Sequence, residues 1–152
     1  MRVSAKVDYA LRAAAELAAA PEGVPLKAEA IANAQAIPVK FLENILQQLR
    51  HAGIVESRRG PEGGHLLARP AKEIALADLI RAIDGPLAGV GGKRPDQLSY
   101  TGHAEAMRDV WIAVRANLRA VLEHVTLADV AAGKLPKDVM ALTRDPDAWQ
   151  TR

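Results

Sequence analysis

Amide and cationic side chains recur on one side of a predicted helix in the first third of the chain. At about 100° per residue, Lys40, Asn44, Gln47 and Arg50 lie opposite the apolar residues of that helix. Amides can form paired hydrogen bonds with adenine edges, and Lys or Arg can bind guanine edges or phosphates. Pro38 suits the first helical turn, where free N–H groups can bind a phosphate. The pattern favours hydrogen bonding to duplex DNA.

A second group of cations lies at the tip of a predicted hairpin. Arg58 and Arg59 come just before the turn 60–64, which separates predicted strands at 54–58 and 65–69. A guanidinium at such a tip can enter the minor groove, where narrow A·T tracts concentrate negative potential. A helix followed directly by a basic hairpin is typical of a winged helix. The alternative is an ordinary amphipathic surface helix followed by a solvated hairpin tip.

The elements that must position these side chains are short helices. Ser4 is a suitable cap for the first helix, and Gly53 is well placed to end the third. The second and third helices form a predicted helix-turn-helix. We therefore expect a mainly α fold with a winged helix-turn-helix DNA-binding domain at residues 1–86. Its predicted helices cover residues 5–20, 27–34, 39–52 and 76–84.

The rest of the chain is predicted to hold a linker or sensor loop at 87–103, a dimerisation helix region at 104–133 and a loosely held tail at 134–152. The long helix is predicted over 104–125, where apolar residues recur at steps of four and three, as in a two-helix seam. The alternative is that this seam packs only on its own domain. The predicted seam residues are Met107, Trp111, Val114, Leu118, Val121, Leu122 and Val125.

The composition narrows the class of protein. Thirty of the 152 residues are alanine and only five are Phe, Tyr or Trp, which favours closely packed helices. The absence of cysteine excludes disulfides, zinc fingers and thiolate-bound iron–sulphur clusters. Charged residues interrupt any signal-peptide core near the amino terminus, and no apolar run is long enough to span a membrane. We therefore expect a cytoplasmic protein.

The sequence motifs that could indicate catalysis are incomplete. The segment 89–94 has a misplaced first glycine and carries Arg94 where a phosphate-binding loop needs Ser or Thr. The four histidines show neither metal-ligand spacing nor a nucleophile–base arrangement. We expect no enzyme, no metal site and no cofactor. In the linker, four residues could line a pocket for an anion or polar metabolite: Lys93, Arg94, Tyr100 and His103.

Four segments resemble the Rrf-two (Rrf2) family of bacterial regulators: VSAKVDYALRA, FLENILQQLRHAGIVESRRGPEGGHLLARP, LADLIRAIDG and VTLADV. The resemblance implies a dimeric winged-helix transcription factor that binds partly palindromic operators. By position, it also implies DNA contacts at Pro38, Lys40, Phe41, Asn44 and Arg59. The face count instead places Phe41 on the packing side of its helix.

The chain departs from the family in its sensor region. Cluster-binding members carry three cysteines and a further ligand there, whereas this region reads GVGGKRPDQLSYTGHAEAMRDVW. Asp8 matches a cluster ligand of some relatives, but its charge also suits the start of the first helix. Pro38 replaces a small polar residue, and His65 stands where tyrosine is usual. These differences leave DNA binding expected and the operator sequence open.

The sequence therefore predicts a sequence-specific DNA-binding transcriptional regulator, expected to be a homodimeric repressor that uses no iron–sulphur cluster. Its signal would come from a small molecule or a protein partner, or it would repress without a ligand. The rival hypothesis is a protein-interaction module in which the winged-helix scaffold docks another protein.

Overall fold

The computed structural model describes residues 2–151 and confirms a mainly α fold with a two-stranded antiparallel wing. Its helices and strands, in chain order, are α1 (Ala5–Ala19), α2 (Ala28–Gln35), α3 (Val39–His51), β1 (Val55–Arg58), β2 (Gly64–Leu67), α4 (Leu76–Asp84), α5 (Met107–Leu122), α6 (Leu127–Ala132) and α7 (Lys137–Leu142). Short 3-10 turns lie at Ala71–Glu73, Pro95–Gln97, Gly102–Ala104 and Pro146–Trp149.

Helix α1 is the centre of the core. The Ser4 hydroxyl accepts a hydrogen bond from the Val7 amide at 3.1 Å, which confirms the predicted cap. Ala10, Ala13 and Ala14 are fully buried. Because alanine has only a methyl group, α2, α3, α4 and α6 can all pack closely on this helix.

The turn between α2 and α3 sets the direction of α3. Ala36 adopts a left-handed conformation, with φ of 51°, and Ile37 is buried behind it. Helix α3 then buries four side chains of its predicted apolar face: Leu42, Ile45, Leu46 and Leu49. Two residues assigned to that face lie outside the core. Ala52 follows the end of the helix and is exposed, and Phe41 is 44% exposed with its ring packed at 84° to that of Tyr9.

The wing is tied to the body of the domain. Strands β1 and β2 pair in a register that places Ser57 opposite His65. Leu26, just before α2, exchanges two backbone hydrogen bonds of 2.9 and 2.8 Å with His65. Gly64 allows this contact, because a Cβ there would lie 2.5 Å from the Leu26 carbonyl oxygen. The wing is thus pinned by a third segment of chain.

Helix α4 has the predicted bounds, whereas α5 is shorter than predicted at both ends. Its start is delayed by the 3-10 turn at Gly102–Ala104. At the other end the chain turns back to the start of α4, where the Leu76 amide donates to the Val125 carbonyl at 3.0 Å. Leu127 of α6 is fully buried there.

The segment predicted as a loosely held tail contains helix α7. Val139 of this helix is buried, and Asp138 lies 3.3 Å from the imidazole of His124. The Trp149 indole N–H donates to the Thr143 carbonyl at 2.6 Å. Among the described residues, no helix is both long enough and apolar enough to cross a membrane.

Candidate nucleic-acid interface

Helix α3 presents its polar side to solvent. Pro38 precedes its first turn, and no side chain caps this end of the helix within residues 2–151. The first turn therefore keeps N–H groups that can bind a phosphate oxygen. Each predicted DNA-contacting residue of this region is exposed: Pro38, Lys40, Asn44, Gln47 and Arg50.

Two amide side chains of α3 are hydrogen-bonded to each other. The Gln48 side-chain N–H donates to the Asn44 side-chain oxygen at 3.2 Å, one helical turn away. Asn44 keeps its own N–H groups for another acceptor, since an amide side chain carries two donors. Gln48 is not among the predicted contacts, but its hydrogen bond orients the side chain of Asn44, which is.

The two wing arginines differ. Arg58 donates to the Gly23 carbonyl at 3.2 Å and lies 3.8 Å from the Glu56 carboxylate, so it fastens the wing to the α1–α2 loop. Within residues 2–151, Arg59 has neither a hydrogen bond nor an ion pair and is exposed. Arg59 therefore has all its N–H donors available to a ligand, whereas Arg58 uses one of its own on Gly23.

The conformation of the wing tip depends on a residue that the sequence reading did not single out for this role. Gly63 is buried, and a Cβ there would lie 2.1 Å from the Arg58 carbonyl oxygen. Lys27, at the start of α2, donates to the Gly60 carbonyl at 3.3 Å across the tip. The Lys27–Gly60 contact joins residues 33 positions apart, so local sequence patterns do not reveal it.

His65 lies on wing strand β2, where Arg50 of α3 influences it electrostatically. Its Nδ1 is 3.2 Å from the Ser57 hydroxyl on the paired strand. Burial lowers the pKa of His65 below its ordinary value, and Arg50 on α3 lowers that pKa further, although Glu29 and Glu43 oppose these effects. The imidazole is therefore neutral at pH 7.

The four residues predicted to share a linker pocket do not surround one cavity. Lys93 lines a cavity of about 590 Å³ beside α1, whereas Arg94 lines a different one of about 340 Å³. The Tyr100 hydroxyl accepts a hydrogen bond from the Trp111 indole at 3.1 Å. His103 lies in the 3-10 turn before α5 and lines neither cavity.

The residues of the predicted dimerisation seam do not all lie on one exposed surface. None of the residues of α5, all of which the structure describes, is buried. Leu118 and Leu122 nevertheless face a cavity shared with α1 and α4 of their own chain. Val125 lies beyond the helix and is 3% exposed, so it packs inside the protomer and not on a partner-facing surface. The remaining seam residues, which are half-buried or exposed, are Met107, Trp111, Val114 and Val121.

Val110 lies beside the seam residues and is more exposed than they are, but the sequence prediction did not include it. Val110 lies one turn after Met107 on α5 and is 47% exposed. The step from Met107 to Val110 is three residues, so both residues fall on one side of the helix. Exposure of a large apolar side chain there is consistent with contact to a second chain.

Sequence and structural comparisons identify the family. A model of the Rrf2 family, described as iron-dependent transcriptional regulators, matches residues 3–133. The chain belongs to the Rrf2 family. Rv1287 of Mycobacterium tuberculosis strain H37Rv, provisionally named an HTH-type transcriptional regulator, is 51% identical over 99% of this chain and 94% of its own length. The HTH-type transcriptional regulator CymR of Bacillus subtilis is 32% identical over 87% of this chain and 91% of its own.

Solved structures of Rrf2 regulators have the same fold. The structure of CymR from B. subtilis, titled as the global cysteine regulator, has a TM-score of 0.75 at 30% identity and covers 88% of this chain and 98% of CymR. IscR of T. potens has a TM-score of 0.69 at 28% identity, with 100% and 93% of the two chains covered. These relatives confirm the prediction of a winged-helix transcriptional regulator of this family, and they are not enzymes.

The iron implied by the family description does not fit the donors of this chain. The sequence has no cysteine, and within residues 2–151 no three His, Asp or Glu side chains gather in a metal-binding group. Asp8, at the position of a family ligand, instead pairs with Arg12 at 3.0 Å in the first turn of α1. The Asp8 carboxylate therefore takes part in an ion pair within α1.

Proposed function

We propose that this chain is a homodimeric repressor that binds a partly palindromic operator. The observation that carries the proposal is the surface formed by α3 and the wing, where amides and cations are exposed and Arg59 has no partner within residues 2–151. Such groups can bind base edges and phosphates. The proposed DNA contacts are Pro38, Lys40, Asn44, Gln47, Arg50, Arg58 and Arg59, of which Arg58 also holds the wing in place.

The proposed domain organisation divides the chain after α4, although α6 packs back on α1 and its Leu127 belongs to the same core. Residues 1–86 form the DNA-binding unit, 87–103 a connecting loop, and 104–133 the dimerisation region, while 134–152 form a C-terminal segment. A dimer through α5 would set two recognition helices about one turn of DNA, 34–36 Å, apart. The apolar side chains left exposed by α5, such as Met107 and Val110, support this arrangement.

We further propose that repression does not depend on an iron–sulphur cluster. The thiolate ligands of such clusters cannot be supplied by a chain without cysteine. A small molecule or a protein partner would then carry the signal. The rival function is a protein-interaction module, which would need no phosphate-binding surface.

The test begins with selection of bound fragments from the host genome, followed by gel-shift titration over a range of salt concentrations. A regulator that neutralises phosphates weakens log-linearly with salt, and loss of one phosphate contact reduces that slope by about one. Lys40→Ala is expected to reduce the slope, while Lys134→Ala, an exposed change near the C terminus, leaves it unaltered. Absence of any enriched fragment would favour the interaction module.

Repression itself is tested by transcription in vitro from the selected promoter. Added protein is expected to lower transcript yield, and a rise in yield would identify an activator. Sedimentation of the protein with a single operator then counts the bound chains. One bound chain per operator would contradict the dimer.

A further inference from the structure

Three arginines meet in one cavity at the junction between the DNA-binding unit and α5. The cavity has a volume of about 340 Å³ and is lined by Arg81 of α4, Arg94 of the connecting loop and Arg115 of α5. The turn Gly85–Leu87 closes another side with the apolar Pro86 and the buried Leu87. Within residues 2–151, its lining contains no carboxylate. We propose that this cavity binds a small carboxylate- or phosphate-bearing metabolite that acts as the effector.

The guanidiniums are held in place and retain hydrogen-bonding capacity. Arg115 donates to Asp96 at 2.8 Å, Arg94 donates to the same carboxylate through Nε at 3.1 Å, and Arg81 donates to Glu123. Each guanidinium has five N–H donors. Among the described residues, the hydrogen bonds of these three arginines use four donors in all. The remaining N–H groups can bind oxyanions in the paired geometry that suits a guanidinium.

The charge of the surrounding network also favours an anion. Five guanidiniums belong to the ion-pair network, because Arg69 and Arg119 join the three arginines of the cavity. They are paired with three carboxylates, those of Asp78, Asp96 and Glu123, which leaves two positive charges in excess. The hydrogen bond from Arg94 lowers the pKa of Asp96 to about 2, so this carboxylate stays ionised and keeps Arg94 and Arg115 in place. An anion with two negative charges would neutralise the network.

The size of the cavity limits the ligand. Small-molecule sites commonly occupy about 300–1,000 Å³, and this one lies at the lower end of that range. It suits a small organic acid or a phosphorylated fragment better than a nucleotide.

The position of the cavity gives binding a regulatory consequence. Arg81 belongs to α4, which packs on the recognition helix α3, and its partner Glu123 directly follows α5. An anion that engages Arg81 together with Arg94 and Arg115 would change the link between α4 and α5. This consequence rests on the proposed DNA-binding function, whereas binding of the anion does not.

Isothermal titration calorimetry of the full chain without DNA tests the site directly. The probes are citrate and inorganic phosphate, titrated separately at ionic strength held constant with chloride. We expect saturable binding of at least one probe, weakened about tenfold or more by Arg94→Gln and by Arg115→Gln. Arg108→Gln removes an exposed arginine of α5 outside the cavity and is expected to leave binding unchanged. No saturable binding of either probe, or equal binding by all variants, would overturn the proposal.

Two further measurements control for misfolding of the variants and for a direct effect on DNA binding. Thermal melting by circular dichroism establishes that each variant folds, and Arg115→Lys keeps the charge but loses the paired donors, so it is also expected to bind more weakly. In gel shifts, the bound probe should change operator affinity of the parent chain and of Arg108→Gln but not of Arg94→Gln. If Arg94→Gln weakened operator binding without any probe, the cavity would serve DNA phosphates and the effector assignment would be wrong.

Discussion

Helices α3 and α5 are similar in length but opposite in how they use their apolar side chains. Four residues of the 13-residue α3 are buried within the protomer, and its polar side is left exposed. None of the 16 residues of α5, all described, is buried, although Met107 and Val110 are large and apolar. Helix α3 buries its apolar side chains within one chain, whereas α5 leaves several of its own exposed. If the proposed dimer forms through α5, one protomer forms the surface of α3 and the wing, and the dimer presents that surface twice.

The largest expected effect is on the buried side of α3. Leu46→Ala removes a side chain that is 2% exposed and is expected to lower the free energy of unfolding by about 2–5 kcal/mol. Urea denaturation followed by circular dichroism measures this change. Gln47→Ala, one residue away on the exposed side, is expected to stay within about 0.5 kcal/mol of the parent chain. Equal losses in the two variants would contradict the assignment of the two faces.

The second prediction concerns α5. Val110→Asp places a charge on a half-exposed apolar position and is expected to raise the dimer dissociation constant by about 100-fold, because an unpaired carboxylate would have to be buried. Sedimentation equilibrium measures the constant, and circular dichroism should show unchanged helix content. Arg108→Asp introduces the same side chain at another exposed position of the helix as a control. A dimer that survives Val110→Asp would place the interface elsewhere.

A smaller effect is expected at the wing. Arg59→Ala removes a guanidinium that is exposed and unpaired within residues 2–151, and it should weaken operator binding by about 1–3 kcal/mol without changing the dimer. Gel-shift titration measures the loss. Arg144→Ala removes an exposed charge near the C terminus and serves as the control. Unchanged operator affinity in Arg59→Ala would remove the wing from the DNA-contacting surface.

The smallest expected effect is a pH dependence at the boundary between α3 and the wing. Burial lowers the pKa of His65, and Arg50 adds to this effect, so the unfolded chain binds a proton more readily than the folded one. Stability should therefore fall as pH drops below the ordinary histidine value of about 6.5, until the folded form also protonates. An NMR titration should give a His65 pKa that rises in Arg50→Gln and is unchanged in Arg108→Gln. A pKa unaffected by Arg50→Gln would show that α3 does not influence the wing electrostatically.

Much of the surface formed by α3 and the wing could be predicted, because the sequence patterns that indicate it are local. The helical period of α3 separates Leu42 and Ile45 from Lys40 and Asn44, and α4 has the bounds that its spacing predicted. The paired wing could be predicted from its turn residues. Its third segment at Leu26 could not, because a backbone bridge between residues 39 positions apart leaves no periodic pattern.

The rest of the molecule depended on chain folding. Arg81, Arg94 and Arg115 come from three separate elements, so nothing in their spacing announces a shared cavity. Helix α7 spans six residues between Pro136 and Pro146, too few for a clear apolar period. Val125 fits the step pattern of the seam, but the chain had already left α5 and turned inward.

The bridge between Leu26 and His65 has a consequence for how such a regulator could diversify. Its two hydrogen bonds join main-chain atoms, so they do not depend on which side chains the wing carries. New side chains at exposed positions such as Arg59 can alter the bases or phosphates that are contacted while the wing keeps its place. Gly64 cannot be replaced in this way, because any Cβ there would meet the Leu26 backbone.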